Sequence, residues 1–549
     1  MASITTSRDG IVLRCLYKER HKCQLVVGGK WDRARKAWVY PKSPFTAHAL
    51  DIVFPTADKS DGFVELVNQH ELRERCNAVK YKTDDIEGYP DDLWPHQRAC
   101  LRWLDCLGPG GYLIASDMGT GKSRIVIEKI LGDGLEKVLV VAPKNVVYSW
   151  ERYIVRELLP NGKYQQAQLL VLIDMPVQKR KVMLEQAAGF EAPIIALINY
   201  ESVWRAQIKE VIKGIRWDLV VADECQKIRA PGSKVSKFMG AAFDQVELRL
   251  GLTGTPLGKS CLDAYGIFRF LDKGIFGTNY SKFQGRYAIM DSNGWGPVAF
   301  INQEDFNQRF HWITFRVDKE DVLDWLPEVL HEEIPLKLDA KSRKVYKALE
   351  TQFIAEINEQ GDMIDVPNAG AKLLRLQQVT SGYLPKEDGD PEILNAIKRD
   401  ALQELLEGIA EDEPVVVFCR FKHDLESIKQ AAENVGREYL ELSGKCSQWK
   451  EFQFDRKDGE VLGVQIQSGG AGIDLTRARY CVFYSMSFSY DDYDQALSRV
   501  HRPGQKHKVI YYHLKMKGTI DTYIYRAISR KANVIEEIVN FYKNNLDID

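Results

Sequence analysis

"GYLIASDMGTGKSRIVIEKI", residues 111 to 130, passes from an apolar run through a glycine-bearing loop into a helix-like stretch. An unbroken apolar run suits a strand buried on both faces, and a strand that feeds a loop and then a helix is the layout of a phosphate cradle. There the backbone amides at the helix N-terminus surround the anion. In the pattern GxxxxGK(S/T) the lysine reaches the β and γ phosphates and the hydroxyl binds Mg²⁺. Gly121, Lys122 and Ser123 fit that pattern and Gly119 loosens the turn, but Ser116 stands where the first glycine belongs. The stretch predicts a phosphate site on an α/β fold.

Further strand-like runs lie on both sides of a long middle section. "KVLVVAP", "PIIALINY" and "WDLVVADE" follow in the first half, and "PVVVFCR", "VLGVQIQSG", "RYCVFYSM" and "KVIYYHL" come after residue 410. Such Val/Ile/Leu runs predict two parallel α/β sheets. Residues 259 to 410 read as helix-rich and aromatic-rich, with no clear series of parallel strands. Breaks at "EGYPDD" near residue 88 and "DWLPEV" near residue 325 divide the chain. With 549 residues, more than one core is needed. The expected organisation is an accessory domain over 1–88, a first lobe with a helical insertion over 89–325, and a second lobe with its own insertion and a C-terminal helix over 326–549.

Composition narrows the class. A chain that is 45% hydrophobic and 28% charged is an ordinary folded protein. No run is long and apolar enough for a membrane span, and "MASITTSRDG" has no secretory features, so the expected compartment is a cytosol or a nucleus with no membrane partner. None of the ten cysteines forms a CxxC pair, which predicts reduced thiols and neither a disulfide framework nor a zinc site. Net charge is −2, but its distribution is uneven. Residues 1 to 50 hold ten Lys or Arg against three acids, residues 51 to 92 five against eleven, and the last 52 residues ten against five. Basic segments of this kind can hold a polyanion, although a solvated surface explains most single instances.

About 100 residues after the phosphate loop, "LVVADECQKI" (219–228) ends a buried run on Asp223 and Glu224. Acids at the carboxyl end of such a strand sit where α/β folds place ligands. Asp223 is then a candidate for Mg²⁺, and Glu224 for orienting or deprotonating an attacking water. The second half carries "QSGGAGIDLTRA" (467–478) and "QALSRVHRPGQ" (495–505). Arg499 and Arg502, three apart on an expected helix, would present both guanidiniums on one face. Arginine suits a developing phosphoryl charge because its planar fork stays ionised.

The ordered set "LWPHQRACLRWL", "SDMGTGKS", "VLVVAPKNVVYSW", "LINYESV", "DECQ", "GLTGTPLG", "VVVFCRF", "QSGGAGIDLTRA" and "QALSRVHRPGQ" resembles the motifs of superfamily 2 helicases. "FRVDKEDVLDWLP", "HRPGQ" and "GTIDTYIY" narrow the resemblance to the Swi/Snf-type ATPases, in a compact form, over residues 90 to about 540. The resemblance implies two RecA-like parallel-sheet lobes with helical insertions, ATP and Mg²⁺ as cofactors, and a monomeric motor that tracks along double-stranded or branched DNA. It implies that Gln97 reads the adenine and that Met118, Gly119, Thr120, Gly121, Lys122 and Ser123 enclose the phosphates and Mg²⁺. Asp223 and Glu224 would serve metal and water, Thr253 and Thr255 would couple the ATP state to nucleic acid, Asp474 would organise the cleft, and Arg499 with Arg502 would sense the γ phosphate. That family's loop also lacks the leading glycine. His96 stands where the family often has Tyr, Cys225 where relatives often have Ala, and Gln226 where many have His. Cys225 then reads as a small buried spacer. Gln226 retains hydrogen-bonding capacity toward Thr253 or the second lobe without titrating, which makes it the expected coupling element. A strand-separating DNA or RNA helicase and a non-catalytic DNA-binding scaffold are the alternatives.

Two aromatic-basic stretches remain. "IFGTNYSKFQGRYAIM" (275–290) would either contact DNA or pack helices together. "GGKWDRARKAWVYP" (28–41) predicts a β-hairpin pairing Trp31 with Trp38 and resembles the amino-terminal segment near the HepA-related (HARP) module of annealing-type relatives. Residues 1 to 88 would form either a recognition arm for branched or single-to-double-strand junction DNA, with tryptophans stacking on bases and arginines contacting phosphates, or a structural cap on the first lobe with its tryptophans in a core.

Overall fold

The five short strands of the amino-terminal segment are too polar at their ends to stand alone, and they close on one apolar face. In the computed structural model, β1 (Ser3–Ser7), β2 (Gly10–Arg14), β3 (Lys30–Asp32), β4 (Ala37–Tyr40) and β5 (Asp58–Lys59) lie in the order β3-β4-β2-β1-β5. Ile4, Ile11, Leu13, Leu50 and Phe63 fill the core beneath this sheet. The expected hairpin is present: Trp31 faces Trp38 across antiparallel β3 and β4, ring centroids 5.9 Å apart. The structure describes residues 2–83, 86–257, 260–291, 297–360, 366–386, 390–455, 459–467 and 473–530. Residues 468–472 of the small-residue loop, Gly258 of "GLTGTPLG" and the expected C-terminal helix beyond 530 lie outside the described residues.

The chain divides into two compact units, Met1–Leu323 and Asp324–Asp549. In the first, β6 (Gly110–Ile114), β7 (Lys137–Ala142), β8 (Gln168–Leu172), β9 (Ile194–Asn199), β10 (Leu219–Asp223) and β11 (Leu248–Leu252) form a sheet. A short antiparallel hairpin, β12 (Ala288–Met290) with β13 (Pro297–Phe300), precedes β14 (Thr314–Phe315), which joins the sheet edge. Its order is β14-β6-β11-β10-β7-β9-β8, and every neighbouring pair is parallel. The carboxyl ends of β6, β11 and β10 are therefore adjacent, and three loops meet there. β10 is buried throughout, which is why its sequence is continuously apolar.

The second unit repeats the design. β15 (Val329–Leu336) opens its sheet, and β16 (Tyr383–Leu384) and β17 (Glu392–Ile393) form a small separate pair. β18 (Val415–Cys419), β19 (Tyr439–Leu442), β20 (Val461–Gln465), β21 (Tyr480–Phe483) and β22 (Val509–Met516) complete the order β15-β22-β21-β18-β20-β19, all parallel. Val416 and Phe418 enter one apolar core while Val415, Val417 and Cys419 enter the other, on the opposite face. Two such faces make the strand apolar at every position.

Two expectations need correcting. The section 259–410 contains parallel strands after all: β14 pairs with β6 and β15 with β22. β15 escaped notice because it is an edge strand whose His331, Glu332 and Glu333 are exposed, so it lacks the apolar signature. The cysteines are also not all reduced. Cys76 and Cys106 are bonded, with Cα atoms 6.1 Å apart, because the helices Asp61–Val79 and Pro95–Leu107 pack together. A separation of 30 residues gives no local sign of that pairing.

Candidate functional site

The phosphate loop is held in shape by its neighbours. Gly121 caps the helix Lys122–Asp133 in a left-handed conformation (φ 81°), and Gly119 is also left-handed (φ 88°), a region glycine enters without steric cost. A Cβ on Gly121 would lie 2.1 Å from Gln97 Nε2, so a side chain here would also displace the Gln97 amide. Gln97 Nε2 donates to the Thr120 carbonyl (3.2 Å), and its Oε1 accepts from Trp94 N (3.0 Å). His96 Nε2 donates to the same Thr120 carbonyl (2.8 Å), and burial lowers the His96 pKa. Where the family often has Tyr, this chain thus has a histidine that braces the loop. Lys122 Nζ donates to the carbonyls of Ser116 (2.7 Å) and Asp117 (3.0 Å), and Thr120 Oγ1 also donates to Asp117 O (2.8 Å). Ser123, second in the helix, is partly buried.

The segment after β14 supports the loop from outside. Asp117 N donates to Val317 O (3.1 Å), and Lys319 N donates to Asp117 Oδ2 (2.9 Å). Met118 reaches toward the loop after β11, where a Cβ on Gly254 would come within 3.2 Å of its Cγ. The site thus extends from β6 to β11 by packing as well as by hydrogen bonds.

At the end of β10, Asp223 and Glu224 are each 8% exposed. Asp223 Oδ2 accepts from Trp150 Nε1 (2.7 Å) and Oδ1 from Glu224 N (2.9 Å), while Tyr200 OH donates to its backbone carbonyl (2.8 Å). Burial first, and the charge of Glu224 second, push the Asp223 carboxyl up to about 6 against the opposing pull of Trp150 and Lys122. Glu224 adopts left-handed backbone angles (φ 51°, ψ 51°). For a residue with a side chain that costs about 1 to 3 kcal/mol, and such strain gathers at functional sites. Trp150 and Tyr200 were missed as site residues, although "VVYSW" and "LINYESV" carry them.

From Glu224 a line of side-chain hydrogen bonds runs sideways to β11. Gln226 Nε2 donates to Glu224 Oε2 (2.7 Å), Thr253 Oγ1 donates to Gln226 Oε1 (2.8 Å), and Thr255 N donates to Thr253 Oγ1 (3.0 Å). Of the two destinations open to Gln226, the bond to Thr253 is present. Cys225 between them is fully buried, and its thiol is pushed well up by burial.

In the second unit the named residues gather around backbone. Asp474 Oδ1 accepts from Thr476 N (3.0 Å) and Thr476 Oγ1 (2.8 Å), fixing its own loop. Leu475 N donates to Arg499 O (3.1 Å), and Arg502 Nη1 donates to Ile473 O (3.3 Å). The expectation of both arginines on one helix is corrected. The helix Tyr490–Val500 ends before Arg502, because Pro503 cannot continue it and Gly504 turns the chain at φ 106°. Arg499 is 6% exposed. Gln505, not anticipated, pins the turn through Nε2 to the carbonyls of Thr476 (3.1 Å) and Ala478 (2.9 Å). Asp521 of "GTIDTYIY" is a core anchor, accepting from Lys398 Nζ (2.8 Å) and Thr380 Oγ1 (2.9 Å).

The chain is similar in sequence to known proteins. The SNF2-related domain model matches residues 96–380 and the helicase conserved C-terminal domain model matches 397–504. An "Uncharacterized ATP-dependent helicase" of Mycoplasma pneumoniae is 24% identical over 473 residues, covering 82% of this chain and 43% of its own. YwqA of Bacillus subtilis, named for an ATP-dependent helicase/translocase, is 24% identical over 498 residues, covering 86% and 52%. The chain thus spans about half the length of these curated relatives. Among solved structures, the SWI2/SNF2 ATPase core of Sulfolobus solfataricus in complex with dsDNA aligns with a TM-score of 0.39 at 22% identity, over 85% of this chain and 95% of that one. With about half of its length matched by one family model, and the phosphate loop and acidic pair inside the matched region, the chain belongs to the SNF2-related family.

Proposed function

We propose that the protein is an ATP-dependent motor that moves along double-stranded DNA and acts, as a monomer, on replication, recombination or repair intermediates. The relay from Glu224 through Gln226 to Thr253 and Thr255 carries the reading, since it ties a catalytic carboxylate to the neighbouring loop by side-chain hydrogen bonds. In this reading Lys122 and the loop from Met118 to Ser123 bind the phosphates, and Gln97 and His96 hold that loop beside the adenine. Glu224 orients and deprotonates the attacking water while Gln226 fixes its carboxylate through Oε2. Arg499 and Arg502 act on the γ phosphate, and Asp474 shapes the loop behind them.

The donor set fits Mg²⁺. A serine hydroxyl and a carboxylate are hard oxygen ligands, and a carboxyl held up at about 6 by burial gains from a nearby cation. Ser123 and Asp223 would hold the ion, which when bound neutralises charge on the phosphate oxygens. We assign residues 1–88 to an accessory domain, 89–325 to the first lobe and 326–549 to the second. The accessory domain acts as a cap, as several contacts support: Ser43 Oγ donates to Asp272 Oδ2 (2.7 Å), Arg73 Nη2 to Tyr112 OH (3.0 Å) and Lys80 Nζ to Thr314 O (3.0 Å).

The test is ATP hydrolysis measured in parallel with single-stranded DNA, duplex, fork, four-way junction and RNA. Stimulation by duplex and branched DNA without strand separation supports the proposal. Stimulation by RNA, or unwinding of a tailed duplex, replaces it with the helicase reading, and absence of any hydrolysis replaces it with a scaffold.

A further inference from the structure

The helix Asp61–Val79 is fastened to the rest of the first unit at several points, and one of them is covalent. Cys76 is bonded to Cys106 in the last turn of the helix Pro95–Leu107. Around that bond, Trp103 Nε1 donates to Asn77 Oδ1 (2.9 Å) and Asn77 Nδ2 to Trp312 O (3.1 Å). Arg73 Nη2 donates to Pro109 O (3.0 Å), and Lys80 Nζ donates to the carbonyls of His311 (3.2 Å) and Thr314 (3.0 Å). These carbonyls stand at the entrances to β6 and β14.

The far ends of the same elements hold the phosphate loop. β6 runs directly into it, and the segment after β14 bonds Asp117. The helix Pro95–Leu107 carries His96 and Gln97 in its first turn, both on the Thr120 carbonyl, and Cys106 in its last. At 1.5 Å per residue, Gln97 and Cys106 lie about 14 Å apart along the axis. A packed helix moves as a unit, so a tie at one end bears on the grip at the other.

The two sulfurs differ in access. Cys76 is 2% exposed, whereas Cys106 faces solvent. An incoming thiolate therefore reaches the Cys106 sulfur, which makes Cys76 the leaving group. Arg73, three residues before Cys76 and on the same face of its helix, carries a positive charge that favours the departing thiolate.

We propose that the Cys76–Cys106 bond is a thiol–disulfide exchange site, that it takes a dithiol reductant, and that its state sets how firmly the phosphate loop is held. One thiolate of the dithiol attacks Cys106 Sγ; the bond to Cys76 breaks, and its electron pair leaves with Cys76, which takes a proton. The second thiol then attacks the reagent's sulfur in the mixed disulfide, releasing Cys106 and closing the reagent's own disulfide. Two electrons and two protons pass from the dithiol to the protein. A small disulfide runs the steps backwards and is itself reduced. In the bonded form the helix Pro95–Leu107 is clamped at its last turn while its first turn grips Thr120. In the reduced form the clamp opens and the loop loosens. The consequence for nucleotide rests on the reading of that loop as an ATP site, whereas the exchange chemistry stands apart from it.

The experiment compares the full chain after dithiothreitol and after re-oxidation by oxidised glutathione, alongside Cys106→Ser and Cys15→Ser. Cys15 is the control because its Sγ lies 3.4 Å from that of Cys23 without a bond. Alkylation with peptide mass analysis reads the bond, hydrogen exchange reads the loop, and a fluorescent ATP analogue reads nucleotide affinity. Reduction should speed amide exchange in residues 115–121 at least about tenfold and weaken analogue binding at least about threefold, both reversed by re-oxidation. Cys106→Ser should match the reduced chain under either condition, and Cys15→Ser should respond as wild type. Cys76 and Cys106 both free after oxidation, equal loop exchange or equal analogue affinity in the two states, or a response that persists in Cys106→Ser or needs Cys15 would each overturn the proposal. A loop that loosens on reduction while the analogue binds in neither state would support the exchange site and count against the ATP-site reading.

Discussion

The two units build the same scaffold and furnish it in opposite ways. Each presents the carboxyl ends of an all-parallel sheet, yet the first offers two buried carboxylates and a lysine, whereas the second offers two arginines. Their support differs as well. In the first unit side chains hold side chains: Trp150 on Asp223, Gln226 on Glu224, Thr253 on Gln226. In the second, side chains mostly hold backbone, as Arg502 and Gln505 do on the carbonyls of Ile473 and Thr476. A sheet edge therefore dictates where chemistry sits, but loop residues dictate its charge. A site wired through side chains can transmit a change in one residue to its neighbour, while one pinned to backbone is held rigidly in place.

Five substitutions and a pH titration probe that contrast, beginning with the largest effect. Arg502→Ala should lower ATP turnover by about 10³-fold or more, as loss of an arginine acting on a transferred phosphoryl group does, with ATP affinity changed far less. Single-turnover kinetics read this directly, and turnover within tenfold of wild type would remove Arg502 from the chemistry. Glu224→Gln should keep nucleotide binding and reduce hydrolysis by about 10² to 10⁴, the range of a general base. Near-normal hydrolysis in that variant would leave the acidic pair without its proposed role.

Gln226→Ala is the sharper probe of side-chain wiring. Basal hydrolysis should stay within about tenfold while stimulation by DNA is lost, and the orphaned partners should cost about 1 to 3 kcal/mol in a denaturant titration. Gln226→His should restore stimulation but make it depend on pH near 6 to 7, because imidazole titrates there and an amide does not. Stimulation unaffected by either change would break the relay.

The smallest effect concerns acid. The Asp223 carboxyl lies above its unfolded value, at about 6, so the proton it holds stabilises the fold fully below about 4, and that contribution is lost as pH rises through about 6. Activity should run the other way: if Asp223 holds Mg²⁺ as proposed, the ion requires its carboxylate form, so kcat/KM should fall as pH drops below about 6. Trp150→Phe removes a donor that lowers this pKa, and the acid limb should then move to higher pH. A limb that stays in place would separate Asp223 from the profile.

Much of the site was legible before any coordinates because its chemistry is local. Gly121, Lys122 and Ser123 form a continuous loop, and Asp223 with Glu224 ends an unmistakable buried strand, so spacing along the chain was spacing in space. The edge strands were harder. β15 exposes the consecutive residues Leu330, His331, Glu332 and Glu333 and β14 spans only two residues, so neither carries the apolar run that marks a central strand. The three-residue spacing of the arginines suggests a shared helix face, but Pro503 directly after Arg502 is incompatible with a continuing helix, which ends at Val500.

The two parallel sheets, the glycine-bearing loop after β6, the acidic pair and the Trp31–Trp38 hairpin can be read from the residues alone, because each depends on neighbours close in the chain and on hydrophobic period. What bridges those pieces emerges from packing across the fold. The bond between Cys76 and Cys106, the grip of Gln97 and His96 on Thr120 and the support of Asp117 by the segment after β14 all join distant segments. Such contacts leave no local pattern, since a side chain's partner across the fold is set by how helices and loops pack rather than by its neighbours in sequence.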